Sequence, residues 1–166
     1  MPDHEECGAS GRARSHRGRA IGVDLGEKRI GVAMTDSSRT LARPHTVISR
    51  SGAMSKDHAA IAAIVEEYQV TVVVVGHPIS LSGASGAAAA KASLESSVLA
   101  EVLPVPVVLV DERLSTVEAT RRLREADTRA KRSPTTKRRP IVDDLAAAVF
   151  LQSWIDGASV VGVPER

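Results

Sequence analysis

The sequence has few cysteines, few aromatic residues and no long apolar run, and each shortage excludes a class of protein. Cys7 is the single cysteine, so no intramolecular disulfide can form and a reducing compartment is the simplest setting. One Phe, one Trp and one Tyr are too few for the stacked rings that usually bind single-stranded nucleic acid. No apolar run approaches the ~20 residues of a membrane span, and residues 1–19 lack a signal-peptide core. We therefore expect a cytoplasmic protein with no membrane partner.

The remaining composition is that of an ordinary globular protein. A chain of 166 residues with 43% hydrophobic residues fits one domain, and its net charge of +2 is too small to imply nucleic acid by itself. Residues 1–18 are polar and aperiodic, so they cannot offset their ordering entropy and are predicted to form a disordered tail. The folded domain is predicted over 19–157, and 158–166 is predicted to be a C-terminal tail.

The chain is organised around residues 19–36, in which two apolar runs flank a short turn. The runs Ala20–Val23 and Ile30–Met34 have the length of paired strands, and a positive φ at Gly26 is expected to allow the tight connection. Asp24 interrupts the first strand. Because a carboxylate inside a sheet is costly unless a metal, a charge or a hydrogen-bond network meets it, Asp24 is the first candidate for chemistry.

The rest of the pattern predicts an α/β fold with a mixed five-stranded sheet, in which three antiparallel strands precede two parallel ones and helices cover both faces. Pro44 predicts a short third strand at a sheet edge, and Ser55 is expected to cap the first helix. The further predicted elements are a third strand over 41–48, helices over 55–68, 87–103, 117–124 and 140–155, and strands over 70–75 and 105–110.

Acidic residues recur where elements of the predicted sheet end. Glu112, with Asp111, follows the fifth strand, and Asp143, with Asp144, begins the last helix. Parallel alignment of the first, fourth and fifth strands would bring these residues to the same end of the sheet as Asp24. Converging carboxylates repel one another unless a hard divalent cation lies among them, as in two-metal phosphodiester hydrolysis.

Each acidic residue also has a purely structural explanation. Asp24 could accept backbone hydrogen bonds in the turn, Asp111 could belong to a salt-bridged strand end, and Asp143 could favour the positive end of a helix. His77 is a candidate proton shuttle, although a simple loop residue is the favoured interpretation. These explanations weaken when all the acids fall at one end of the predicted sheet.

Taken together, these motifs resemble the YqgF/RuvX family of the RNase H-like superfamily, over about residues 19–156. The matching segments are Gly22-Val-Asp-Leu-Gly26, Arg29-Ile-Gly-Val-Ala33, Gly76-His-Pro78 with Gly83, Asp111-Glu-Arg-Leu-Ser-Thr116, and Val142-Asp-Asp-Leu-Ala-Ala147 with Leu151-Gln152. Any one of them is weak evidence, whereas their combination in this order is highly specific. His77 departs from the larger apolar residue that is common there.

The resemblance implies an RNase H-like nuclease that uses Mg²⁺ or Mn²⁺ in a two-metal site. Asp24, Glu112 and Asp143 fall on the family's acidic positions, and Asp111 and Asp144 could share the metal. The implied activity is hydrolysis of phosphodiester bonds in structured nucleic acid, either at Holliday junctions or at the 5′ end of the 16S rRNA precursor in ribosome biogenesis. A symmetric junction would favour a homodimer.

A basic stretch beside the proposed site fits a nucleic-acid partner, because phosphate contacts supply salt-sensitive affinity without regard to sequence. A merely solvated charged face is the alternative. The candidate phosphate-binding residues are Arg113, Lys131, Arg132, Lys137, Arg138 and Arg139, and Arg121, Arg122, Arg124 and Arg129 add to the same charge.

Two other functions compete with the nuclease. An actin-like sugar or acetate kinase also opens with an Asp-x-Gly hairpin, but such kinases need two related domains that 166 residues cannot hold. A non-catalytic nucleic-acid-binding or ribosome-biogenesis factor could retain the same fold. Metal titration with and without Asp24→Asn discriminates this factor from the nuclease.

Overall fold

The computed structural model describes residues 18–77, 86–111, 142–157 and 160–162. Within these ranges, three helices flank one mixed sheet. The strands are β1 (Arg19–Leu25), β2 (Arg29–Thr35), β3 (Ala42–Ser49), β4 (Val70–His77), β5 (Val107–Asp111) and β6 (Val160–Gly162), and the helices are α1 (Met54–Glu67), α2 (Ala87–Val102) and α3 (Val142–Ile155).

The strands lie in the order β3-β2-β1-β4-β5-β6. β1, β2 and β3 form an antiparallel meander, and β4 and β5 add parallel to β1. This arrangement confirms the predicted mixed sheet of three antiparallel and two parallel strands. β6 is an additional strand that pairs antiparallel with β5, within the segment predicted to be a tail. Its three residues are too few for a periodic pattern to indicate a strand.

Helices cover both faces of the sheet, as predicted. On one side, Ile21, Val23 and Val73 pack with residues of α1 and α2, and we call this side the α1/α2 face. On the other side, Ala20 and Val74 pack with residues of α3, and we call it the α3 face. Because side chains alternate along a strand, this division assigns each strand residue to one face. No helix of the described segments is both long and apolar enough to cross a membrane.

Small residues let α3 approach the sheet closely. A Cβ atom at Gly22 would lie 2.8 Å from the Ala147 carbonyl oxygen and 2.9 Å from Leu151 Cβ, so the backbone of α3 occupies the space of a side chain. The residue paired with Gly22 on β2 is Ala33, which is also small and fully buried. Glycine is therefore required here for packing.

The structure corrects two local predictions. Gly26 does not have a positive φ; it is required because a Cβ atom would lie 2.6 Å from the Arg29 carbonyl oxygen. Ser55 does not cap α1, which begins at Met54 after Ala53 with no side-chain cap. Instead, Asp57 Oδ1 accepts a hydrogen bond of 2.9 Å from the Ser51 amide and so fixes the approach to the helix.

The third strand is an edge strand, as Pro44 predicts, but it is not short. β3 has eight residues and is kept in register by a bulge, since Ala33 pairs with Pro44 while Val32 pairs with Thr46. The bulge lies where proline has no N–H to donate to the neighbouring strand, and the two strands pair on both sides of it.

Candidate active site

Asp24 lies at the carboxyl end of β1 and is half-buried. It is on the α3 face, because Gly22, two residues earlier, contacts α3. Asp24 is paired with Gly31 on β2, and Gly76 follows Val75, the β4 partner of Val23. Both cross-strand neighbours of Asp24 are thus glycines. Neither of these neighbours therefore places a side chain beside the carboxylate.

The N-terminus of α3 points toward the same end of the sheet. Gln152, in the second half of α3, accepts a hydrogen bond of 2.9 Å from the Ala42 amide, and Ala42 pairs with Thr35 near the start of β1. Ala147 lies over Gly22, further along β1. Moving toward the first residue of α3 therefore leads toward Asp24. The backbone of Asp143 is one turn before Ala147, or about 6 Å along the helix axis.

Asp111 ends β5 on the opposite face. Leu109, two residues before it, packs in the core of the α1/α2 face, so Asp111 lies on that face and is only 5% exposed. Its register partner on β4 is His77. The sheet therefore separates Asp111 from Asp24, although both residues end parallel strands.

His77 lies beside Asp111 on the α1/α2 face. Its Nε2 atom is 2.7 Å from the Ser93 hydroxyl of α2, and its Nδ1 atom is buried with no hydrogen-bond partner among the described residues. This contact connects the end of β4 to α2. Glu27, in the turn after β1, is exposed.

Most of the other predicted site residues lie outside the described part of the chain. For Asp143 and Asp144, only the helical backbone is described. Within the described ranges, no three side chains of His, Cys, Asp or Glu lie close enough to hold a metal ion. The undescribed candidates are Glu112, Arg113, Lys131, Arg132, Lys137, Arg138 and Arg139.

A buried ionic cluster that was not predicted from the sequence lies under the turn that follows Asp24. Arg50 pairs through both terminal nitrogens with Glu95 of α2, and its NH1 atom is 3.3 Å from Asp57 Oδ2 of α1. Burial alone would lower the pKa of Arg50, but hydrogen bonds and charge from Glu95 and Asp57 raise it above its usual value. A signal was present for Glu95: it has helical spacing to the buried Ala92 and Leu99.

An open cleft of about 610 Å³ lies at the other end of the sheet, beside the start of β3. Its acidic residue, Asp36, accepts hydrogen bonds from the Thr40 amide (2.8 Å), the Thr40 hydroxyl (2.6 Å) and Ser38. Burial alone would raise the pKa of Asp36, but these bonds lower it to about 2. Asp36 therefore closes a turn, and the cleft is remote from Asp24.

The family model described as "RuvX: Holliday junction resolvase" matches residues 18–157 of the chain. The chain belongs to the RuvX family. It is 42% identical to a protein of Rhodococcus opacus (strain B4) over 163 residues, covering 95% of this chain and 89% of the relative. It is 45% identical to a protein of Anaeromyxobacter sp. (strain Fw109-5) over 139 residues, covering 84% and 97%. Both are named "Putative pre-16S rRNA nuclease". The chain is thus a member of a nuclease family.

Solved structures agree with this assignment at the level of the fold. RuvC of T. thermophilus in complex with a Holliday junction superposes with a TM-score of 0.57 at 17% identity, covering 86% of this chain and 99% of RuvC. A second structure of Thermus thermophilus RuvC gives a TM-score of 0.54. At this identity the likeness shows a RuvC-like RNase H fold alone.

Proposed function

We propose that this RuvX-family chain is a metal-dependent endonuclease whose active site lies at the Asp24 end of the sheet. The observation that carries the proposal is the position of Asp24. This half-buried carboxylate lies one residue before the end of an inner strand, Gly31 is its partner on β2, Gly76 follows the β4 partner of Val23, and the first turn of α3 is directed to the same end.

We infer that Asp24, Glu112 and Asp143 are the catalytic carboxylates and metal ligands. Asp143 is supported by the direction of α3 along the α3 face. Glu112 lies outside the described residues and is inferred from the family resemblance, whereas Asp111 before it is on the α1/α2 face, opposite to Asp24. Asp111 is thereby disfavoured as a ligand, and Asp144 remains the neighbour that could share the role of Asp143.

The donor set fits a hard divalent cation. Carboxylate oxygens are the ligands that Mg²⁺ and Mn²⁺ prefer. A pair of such ions, when bound, supplies an activated water and stabilises the leaving oxygen of a phosphodiester. The three carboxylates would hold these ions, and the basic residues from Arg113 to Arg139 would bind phosphates of the substrate.

The substrate that we favour is the 5′ end of the 16S rRNA precursor. The relatives at 42–45% identity are named "Putative pre-16S rRNA nuclease", whereas RuvC, whose structure contains a Holliday junction, shares only the fold. Branched DNA is the second candidate, because the family description names Holliday junction resolvases. A homodimer would suit that symmetric substrate.

A cleavage assay on both substrates tests the proposal. The full chain is incubated with 16S rRNA precursor or with a four-way DNA junction, in Mg²⁺, in Mn²⁺ or in chelator. We expect metal-dependent cleavage of the precursor by the parent protein, none by Asp24→Asn, and full activity of the matched control Asp36→Asn, whose carboxylate is at the other end of the sheet. Equal rates for Asp24→Asn and the parent would refute the site. Binding of RNA with no cleavage in either metal would favour the non-catalytic factor.

A further inference from the structure

Arg50 holds the turn that connects β1 to β2. Its side-chain Nε donates a hydrogen bond of 3.0 Å to the Gly26 carbonyl oxygen, and its backbone amide donates one of 3.1 Å to the Lys28 carbonyl oxygen. Gly26 and Lys28, two of the three residues of the turn, are therefore both hydrogen-bonded to Arg50, which directly follows β3.

The guanidinium group is itself fixed from the two helices of the α1/α2 face. Glu95, in the middle of α2, accepts hydrogen bonds from both terminal nitrogens of Arg50. The Glu95 side chain is 2% exposed. Asp57 of α1 contacts the same guanidinium at 3.3 Å, and His58 Nε2 is 3.4 Å from Glu95 Oε1. A two-point contact with a carboxylate sets the plane of the guanidinium as well as its position.

Stability alone is a poor explanation for this cluster. Taking charges out of water costs several kcal/mol per ion, and apolar replacements of buried ion pairs are often neutral or stabilising. An apolar replacement would not reproduce the fixed orientation of the Arg50 guanidinium on Glu95. The direction in which Arg50 Nε points is a part of that geometry.

The turn connects Arg50 to Asp24 through hydrogen bonds of Gly26. The Gly26 amide donates a hydrogen bond of 3.0 Å to the Asp24 carbonyl oxygen, while the Gly26 carbonyl accepts from Arg50. The Arg29 carbonyl also lies so close to Gly26 that a Cβ atom would be 2.6 Å from it, which leaves the turn little freedom to slide. One glycine thus contacts both Asp24 and Arg50.

We propose that Arg50, held by Glu95, is a positioning residue for Asp24, so that metal affinity on the α3 face depends on an ion pair on the α1/α2 face. The inference rests on the proposed function, because it assumes that Asp24 is a metal ligand. Ligands must be held to within about 0.5 Å for full effect. Loss of an outer contact typically costs about 10- to 100-fold in metal affinity or activity.

The test compares Arg50→Lys and Glu95→Gln in the full chain with the parent protein. Lysine keeps the charge but cannot contact Glu95 at two points and Gly26 at the same time, and glutamine keeps the shape of Glu95. We expect both variants to bind Mn²⁺ about tenfold more weakly by calorimetry. We also expect cleavage to recover at high Mn²⁺ concentration, and the Gly26 amide to exchange its hydrogen faster in metal-free protein.

Gln152→Ala is the matched control, because it removes a buried hydrogen bond from the Ala42 amide and a half-buried one to the Thr40 carbonyl at the far end of the sheet. Its melting temperature should fall while its Mn²⁺ affinity and Gly26 exchange stay at parental values. The inference is overturned if Arg50→Lys and Glu95→Gln bind Mn²⁺ as the parent does, or if Gln152→Ala weakens binding equally. If Asp24→Asn itself leaves Mn²⁺ binding unchanged, the proposed function has failed and the inference falls with it.

Discussion

Asp24 and Asp111 end parallel strands at the same edge of the sheet but lie on opposite faces of it. Asp24 shares its face with Gly22 and α3, whereas Asp111 shares its face with Leu109 and is paired with His77. Because successive side chains of a strand point to opposite faces, Asp24 and Asp111 leave the sheet in opposite directions. The two carboxylates therefore have different surroundings, although they lie near the same edge of the sheet.

The first prediction follows from this separation. Asp111→Asn should leave Mn²⁺ affinity within about twofold of the parent, because the carboxylate is on the far side of the sheet, and calorimetry measures this directly. Glu112→Gln is the comparison, since it changes the adjacent residue by the same chemistry and should lose about tenfold or more. A large loss of Mn²⁺ affinity in Asp111→Asn, with no loss in Glu112→Gln, would identify Asp111 as the metal ligand in place of Glu112.

A second prediction concerns the close contact between α3 and β1. Gly22→Ala should lower the free energy of unfolding by about 1–3 kcal/mol, because its Cβ would meet the Ala147 carbonyl oxygen at 2.8 Å and the helix must shift. Urea unfolding measures the change, and Ser37→Ala in the exposed turn after β2 is the control that should keep parental stability. Parental stability of Gly22→Ala would show that α3 moves away at no cost.

The sequence predicted the architecture because the elements of the sheet carry strong local signals. The unbroken apolar run that forms β4 indicated a strand buried on both faces, and Pro44 indicated an edge. Asp24 was singled out by its place within an otherwise apolar strand. All three signals are local, and each one is a direct consequence of burial or of a missing N–H.

What the sequence did not predict depends on contacts between distant residues. The role of Gly26 comes from the Arg29 carbonyl, and the role of Arg50 from Glu95, 45 residues further along the chain. The faces of Asp24 and Asp111 follow from the strand register, which a one-residue slip would invert. The predicted domain boundaries and site residues remain predictions.

The third prediction is a pH effect at Asp36. Its pKa in the folded protein, about 2, is below the usual 3.8, so its hydrogen bonds stabilise the fold fully above pH 4 and are lost as the pH falls toward 2. The difference in unfolding free energy between the parent and Asp36→Ala should therefore be constant near neutrality and shrink in acid. Urea unfolding across pH 2 to 7 measures it. If the difference in unfolding free energy grew in acid, the pKa of Asp36 would be raised by folding and the prediction would be wrong.

The fourth prediction concerns the basic stretch. Replacing Lys137, Arg138 and Arg139 with Gln should weaken binding to all structured nucleic acids alike and flatten the dependence of log affinity on log salt. Binding titrations at several salt concentrations measure both effects, and Mn²⁺ affinity should stay parental as the internal control. Unchanged affinity and slope would identify these residues as a solvated connection.

The last prediction treats Asp24, Glu112 and Asp143 as one unit. If they hold the same pair of ions, each single change to the amide should cost nearly as much activity as all three together, because residues that act together are strongly non-additive. Each change should also weaken Mn²⁺ binding. Single-turnover cleavage and calorimetry on the single, double and triple variants measure the two effects.

Ca²⁺ supplies the control for that series. It should occupy the site and compete with Mn²⁺, yet support little cleavage, because its longer bonds and looser coordination do not hold water and phosphate in the geometry that Mg²⁺ enforces. Logarithmic losses that simply add, or a Glu112→Gln variant with parental activity, would show that the three carboxylates are not one metal centre. The non-catalytic binding factor would then be the better account of this chain, because nucleic-acid binding through the basic stretch does not require an ion beside Asp24.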